Sequence, residues 1–134
     1  MAFLLSKTEV VTGPPIAHIF SGTANEAFTY GEALVLSGGL LTKAPATTKP
    51  TFICMKDVPA MGEGVSVSNI PVIMITENLE FETTSTAAIA PTAIGTKVTL
   101  HTDGLKVTAT TTNGVFTVLS TTNEIGGTVR GKFI

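Results

Sequence analysis

The sequence predicts an all-β domain, a small β-sandwich or β-barrel-like fold, and three observations carry that expectation. Threonine stands at 24 of 134 positions, and its β-branched, torsionally stiff side chain suits a pleated, half-solvated surface. Short apolar or alternating runs recur at intervals of about eight to twelve residues, separated by Gly, Pro, Asn and Asp, as in sandwiches and barrels. Helical periodicity is nearly absent: the one candidate, "TSTAAIAPTAI", contains Pro91 and is limited to a short helix near 86–93. A chain of this length buries roughly two thirds of its unfolded surface and can support one core without disulfides or metals.

The elements follow in order. Residues 1–30 are the least periodic part, because "TGPP" blocks regular structure and "SGTANEAFTY" reads as loop, so an N-terminal arm, partly extended, is expected there. Such an arm packs on its own domain as an edge strand or reaches a neighbour, and Phe3, Leu4 and Leu5 need covering in either case. As an arm, residues 1–20 are expected to be removable without unfolding the rest. Residues 31–134 form the single β domain. "EALVLSGGLLTKA" gives a strand at 32–36, a turn at Ser37, Gly38 and Gly39, and a strand at 40–44. After the prolyl loop "PATTKP", "TFICMK" is a short buried strand. "GVSVSN" alternates, "PVIMITE" is almost continuously apolar, and "LEFET" sets Leu79 and Phe81 against Glu80 and Glu82.

The last third carries the clearest turn signals. "KVTLHT", "LKVTATT" and "VFTVLST" are separated by Asp103-Gly104 and Asn113-Gly114, which predicts a three-strand meander. Val98 and Leu100 are expected to share a face with Leu105, Val107 and Ala109. After Gly126-Gly127, "TVRGKFI" places Val129 and Phe133 on one face and Arg130 and Lys132 on the other.

Charge narrows the function classes. Charged residues are 13% of the chain, against about a quarter in ordinary domains, and the net charge is −2. One arginine and seven scattered lysines make no basic stripe, so nucleic acid is not an expected partner. Low surface charge suits a protein that works in an assembly. The one cysteine, Cys54, is flanked by Phe52, Ile53 and Met55 and reads as a buried small hydrophobe. "MAFLLSKTEVV" is a poor secretion signal, no run reaches the ~18 apolar residues of a membrane helix, and neither a membrane nor an oxidising compartment is expected.

Catalytic constellations are likewise missing. His18 and His101 have no second ligand at metal spacing, and His101, beside a turn, is expected to be solvated. No G-x-S-x-G elbow marks a nucleophile. Glu80 and Glu82 share a strand face, as a glycosidase pair would, but nothing else in the chain supports that chemistry, and two exposed glutamates on a solvated face that discourage edge pairing are expected instead. "GGLLTKAP" has neither the spacing nor the following helix of a phosphate loop, so Gly38 and Gly39 turn a strand. Neither an enzyme nor a cofactor or metal site is expected.

"GEALVLSGGLLTKAPATTKPTFICMKD" resembles a segment of the small capsid decoration, or cement, proteins of tailed bacteriophages: a Gly-acidic start, strand, Gly turn, strand, Ala/Pro loop, and short strand ending in an acidic residue. "IGTKVTLHTDGLKVTATTTNGVFTVLSTTNEIGGTVRGKFI" is similar to the β-rich remainder of such domains, through Gly95, Val98, Leu100, Asp103 and Gly104. Phe52-Ile53-Cys54-Met55 departs from the small Gly/Ala step expected there. The resemblance implies a structural virion protein that binds the outer surface of the head, commonly as a homotrimer, and stabilises contacts between major capsid protein subunits. It would reside in the host cytoplasm during assembly and then on the virion. Partner contacts are expected from the arm, through Phe3, Leu4, Leu5, Ile16, Ile19 and Phe20. Another structural β component of a virion (head fibre base, tail or coat protein) and an extracellular carbohydrate-binding β-sandwich are the alternatives.

Overall fold

Apolar residues fall on both faces of one group of strands and on a single face of another, and this asymmetry sets the architecture. A computed structural model of the chain describes residues 2–8, 17–60 and 67–134. Among them ten strands form two five-stranded antiparallel sheets: β1 (Leu4–Thr8), β2 (Ala17–Phe20), β3 (Ala33–Ser37), β4 (Leu40–Lys43), β5 (Phe52–Cys54), β6 (Ile70–Met74), β7 (Leu79–Thr84), β8 (Lys97–Val98), β9 (Phe116–Thr121) and β10 (Thr128–Lys132). The first sheet runs β1-β7-β10-β9-β8 and the second β2-β6-β5-β3-β4. The expected short helix is a single 3-10 turn at Pro91–Ala93.

Between the sheets lies the main core. Phe81, Phe116, Val118, Val129 and Phe133 from the first sheet meet Ala33, Ile53 and Ile73 from the second. Phe3 completes it: its ring lies 5.1 Å from that of Phe133 and 5.6 Å from that of Phe116. Phe116 and Phe133 stand edge-on at 5.0 Å. Room for these rings exists because Gly131 lacks a side chain; a Cβ there would sit 2.0 Å from the Thr117 carbonyl oxygen and 2.8 Å from the Phe116 ring.

The second sheet carries another core on its opposite face, made by Phe28, Leu34, Leu41, Phe52, Cys54, Val58, Ile70 and Val72. That is why "TFICMK" and "PVIMITE" are continuously apolar: strands covered on both sides need no polar alternation. This sheet rolls up on itself. The chain leaving β2 reaches β4 on the opposite edge, where Leu41 N–H donates to the Ser21 carbonyl at 2.9 Å and Thr23 N–H donates to the Leu41 carbonyl at 2.9 Å. Gly22 bridges Leu41 in parallel at this seam. The fold therefore combines a sandwich with a barrel-like half, whose interior brings Phe20 within 5.0 Å of Phe52, ring to ring. At Gly22 a Cβ would meet the Phe28 ring at 2.5 Å, so the seam closes only over glycine.

Several expectations are corrected. The described residues of the first thirty, 2–8 and 17–30, are not an arm set apart from the domain: β1 pairs with β7, β2 pairs with β6, and Phe3 is 1% exposed. The segment supplies an edge strand to each sheet, so residues 4–8 and 17–20 are part of the domain's construction. Glu80 is buried, because β7 is an interior strand with β1 and β10 on its flanks; Glu82 faces Arg130, whose Nε donates to Oε1 at 2.8 Å. Of the three-strand meander the first hairpin forms, through a Leu100–Val107 bridge and backbone hydrogen bonds joining Thr99 to Thr108 and Thr110 and His101 to Lys106, but β9 pairs with β8 and not with residues 105–111; Leu105 is half-buried and Ala109 exposed. Asn113 carries the positive φ of its turn, while Gly114 packs against the Lys97 carbonyl. His101 is half-buried. Lys132, expected opposite the core, is also buried. Val67–Asn69 is not a strand, and the rest of "GVSVSN" lies outside the described residues. The Gly38-Gly39 turn is as expected, with φ of 59° and 82° joining Ser37 to Leu40.

Gly131→Ala is expected to lower unfolding free energy by about 3 kcal/mol, because the new methyl meets backbone that cannot move aside. Phe3→Ala is expected to cost about 3–5 kcal/mol through the cavity it leaves. Urea denaturation of both variants measures this, and a Phe3→Ala midpoint equal to the parent's would contradict the burial of that ring.

Candidate interaction edge

Edge strands leave one row of backbone N–H and C=O groups without a ladder partner, which makes them sites for pairing with another chain. Here two of the sheet edges, β1 and β2, come from the first twenty residues, and they flank the consecutive strands β7 and β6. β1 has an irregular register between Leu5 and Lys7, which bends the edge locally. Along β2, Ala17, His18 and Ile19 are all exposed, so the strand projects past the core that supports its far end.

The six residues expected to contact a partner do not form one set. Leu5 is 39% exposed on β1 and Ile19 is 63% exposed on β2. Leu4 is half-buried, opposite Glu82. Phe20 is half-buried because its ring turns into the barrel-like half, where it also lies 6.4 Å from the His18 ring in a stacked arrangement. Phe3 belongs to the main core and offers no surface, and Ile16 lies outside the described residues. The structure thus leaves Leu5 and Ile19 as the apolar surface of these edges. Ile125, 81% exposed at the turn between β9 and β10, and Met74, 43% exposed, are further exposed apolar residues that the sequence did not single out. Ile125 stands beside a Gly-Gly turn, a signal that would have placed it at a loop tip.

Chemical groups elsewhere are occupied structurally. Cys54 is fully buried, its Sγ lies 3.0 Å from the Lys56 carbonyl, and burial holds the thiol above its ordinary pKa, which keeps it protonated and unreactive. Among the described residues no group of three His, Cys, Asp or Glu side chains could hold a metal ion. An open recess of about 440 Å³ is lined by Glu77, Asn78, Lys132 and Ile134. No helix among the described residues is long and apolar enough to cross a membrane.

Threonine hydroxyls act as staples between strands and loops. Thr23 donates to the Leu41 carbonyl at 2.8 Å, Thr83 to the Leu105 carbonyl at 2.8 Å and Thr121 to the Ile89 carbonyl at 2.8 Å, while Thr42 donates to Glu26 at 2.9 Å. Three of these bonds end on backbone carbonyls and fix loops without charge, and the fourth ends on the Glu26 carboxylate.

No protein-family model matches this chain, and no curated protein sequence matches it.

Ile19→Asp is expected to leave stability within about 0.5 kcal/mol of the parent, since the side chain is largely in water already. A thermal melt of this variant checks the assignment, and a loss comparable to that of Phe3→Ala would place Ile19 in the core.

Proposed function

We propose that this protein is a structural virion component of the capsid decoration type: it binds the outer surface of a phage head and stabilises contacts between major capsid protein subunits, working there as a homotrimer. The observation that carries the proposal is the pair of strands β1 and β2 at the ends of the two sheets, on which Leu5 and Ile19 are exposed. The resemblance of the segment from Gly31 to Asp57 to decoration proteins points the same way.

The physical requirements of that role are met by simple means. Covering a large apolar side chain stabilises a complex by about 1.5–3 kcal/mol, and a partner strand laid on an open edge adds main-chain hydrogen bonds. Each subunit's contact is then small. Repetition around a three-fold axis converts such contacts into avidity without any new interaction. The low net charge of −2 limits repulsion between neighbouring copies on a crowded shell.

Purified protein is expected to co-sediment with expanded heads and not with precursor shells, and Leu5→Asp with Ile19→Asp is expected to weaken that binding by at least about tenfold while leaving the melt unchanged. Equal binding by the double variant would remove the edges from the interface. Affinity for an oligosaccharide array, with none for any capsid, would favour a carbohydrate-binding sandwich instead.

A further inference from the structure

Glu32 is the acidic residue of the Gly-acidic start, and nothing in the proposed role uses it. It opens β3 and is 2% exposed. One carboxyl oxygen, Oε1, accepts the Thr29 N–H at 3.0 Å, whereas Oε2 is buried with no hydrogen-bond partner. Four segments converge on it. The turn at 101–105 seats Gly104 so that a Cβ there would lie 3.3 Å from Glu32 Cγ and 3.1 Å from Lys43 Cγ, and the Ala33 N–H donates to the Gly104 carbonyl at 2.9 Å. From β5, the Cys54 N–H donates to the Glu32 carbonyl at 2.9 Å.

Charges around this carboxyl are unevenly matched. Lys43 on β4 is the cation facing it, while Glu26 from the preceding loop and Asp103 from the turn are both acidic; Cys54 adds a protonated thiol, and Asp57 lies beyond it. Glu26 is already engaged by the Thr42 hydroxyl and the Lys43 N–H, each at 2.9 Å. Asp103 accepts the Leu105 N–H at 2.8 Å and lies 3.6 Å from Lys106 Nζ. An ionised Glu32 would therefore be a third negative charge beside Glu26 and Asp103, faced directly by Lys43 alone because Lys106 is engaged by Asp103, and with an oxygen that no donor reaches. Burial of a charge so poorly compensated is costly.

We propose that Glu32 is a proton-operated latch: with its proton on, it lets the 101–105 turn seat on the start of β3, and on losing the proton it releases that turn so that water reaches the carboxylate. Burial raises the carboxyl's pKa from the ordinary carboxylate range to about 7 in the seated form, against opposing contributions from Thr29 and Lys43. The released form, being hydrated, ionises in the ordinary range. The seated form thus holds its proton longer, so seating is strongest at acid pH, weakens as pH rises from the carboxylate range towards neutrality, and levels off above it. The latch concerns this domain alone and stands whether or not the partner is a capsid.

Hydrogen exchange at the Ala33 amide reads the latch directly. After correction for intrinsic exchange, its protection is expected to fall on the order of 50- to 100-fold between pH 5 and pH 8. Glu32→Gln is expected to flatten that dependence and keep the amide protected at pH 8. Asp103→Asn, which preserves the acceptor for Leu105, is expected to make the fall shallower, and Lys43→Met to make it steeper. Protection that does not change with pH in the parent, or a Glu32→Gln variant that loses protection as the parent does, would overturn the proposal. Should Glu32→Gln fail to fold, Asp103→Asn decides, an unchanged fall counting against the latch. A carbon-13 titration of the Glu32 carboxyl with its midpoint in the ordinary carboxylate range would also overturn it.

Discussion

Four phenylalanine rings, Phe3, Phe81, Phe116 and Phe133, meet beside a residue that has no side chain. Gly131 lies on an interior strand at a position where a Cβ would come within 2.8 Å of the Phe116 ring and 2.0 Å of a backbone oxygen. The empty position lets the Phe116 ring approach the β10 backbone closely, where it makes its edge-on contact with Phe133, and Phe3 then closes the cluster. Aromatic pairs of this geometry each contribute about 0.5–1.5 kcal/mol beyond the area they bury. Both sheets depend on the cluster, since the first supplies most of its rings and the second supplies Ile53 and Ile73 packed against it.

The second sheet adds its own requirement. Its central strands β5 and β6 are covered on one side by the main core and on the other by the interior of the barrel-like half, so their sequence is almost wholly apolar. A strand buried on both faces gains stability from packing but offers no polar surface with which to fix neighbouring loops. Threonine supplies the tie: the Thr23 hydroxyl donates to the Leu41 carbonyl at the seam, and Thr83 of the first sheet does the same at the Leu105 carbonyl. The same residue that suits a pleated surface is thus also the means of tying loops down, at no cost in charge desolvation.

The strands were legible in the sequence wherever a local signal governs them. The glycine pair at 38–39, the apolar run of β5 and β6, and the alternation of β7 all depend on neighbours within a few residues, and they were placed to within a residue or two. What the sequence concealed depends on contacts far along the chain. Glu80 looks exposed by alternation, yet its burial follows from strands contributed by residues 4–8 and 128–132. Phe3 looks like part of a loose arm, yet its partners lie at positions 116 and 133. Of the expected contact residues, Leu5 and Ile19 are on the surface, whereas the inward turn of Phe20 follows from the roll of the second sheet, which no local pattern encodes. Glu32 was visible only as one letter of a turn-initiating pair; its burial arises from the meeting of four segments.

The two sheets draw on the chain in different ways, and this orders their appearance during synthesis. All five strands of the second sheet fall within residues 17–74, and its seam joins positions only about twenty residues apart, so that half can close while the chain is still emerging. The first sheet takes β1 from residues 4–8 and β10 from residues 128–132, and those two strands sit on either side of β7. Until Phe133 has left the ribosome, Phe3 has no cluster to enter and β7 lacks one of its neighbours. The second sheet's main-core face, with Ala33, Ile53 and Ile73, thus has all its strands before most of the residues that cover it are made, and wrong pairing is most favoured in the interval before β10 docks.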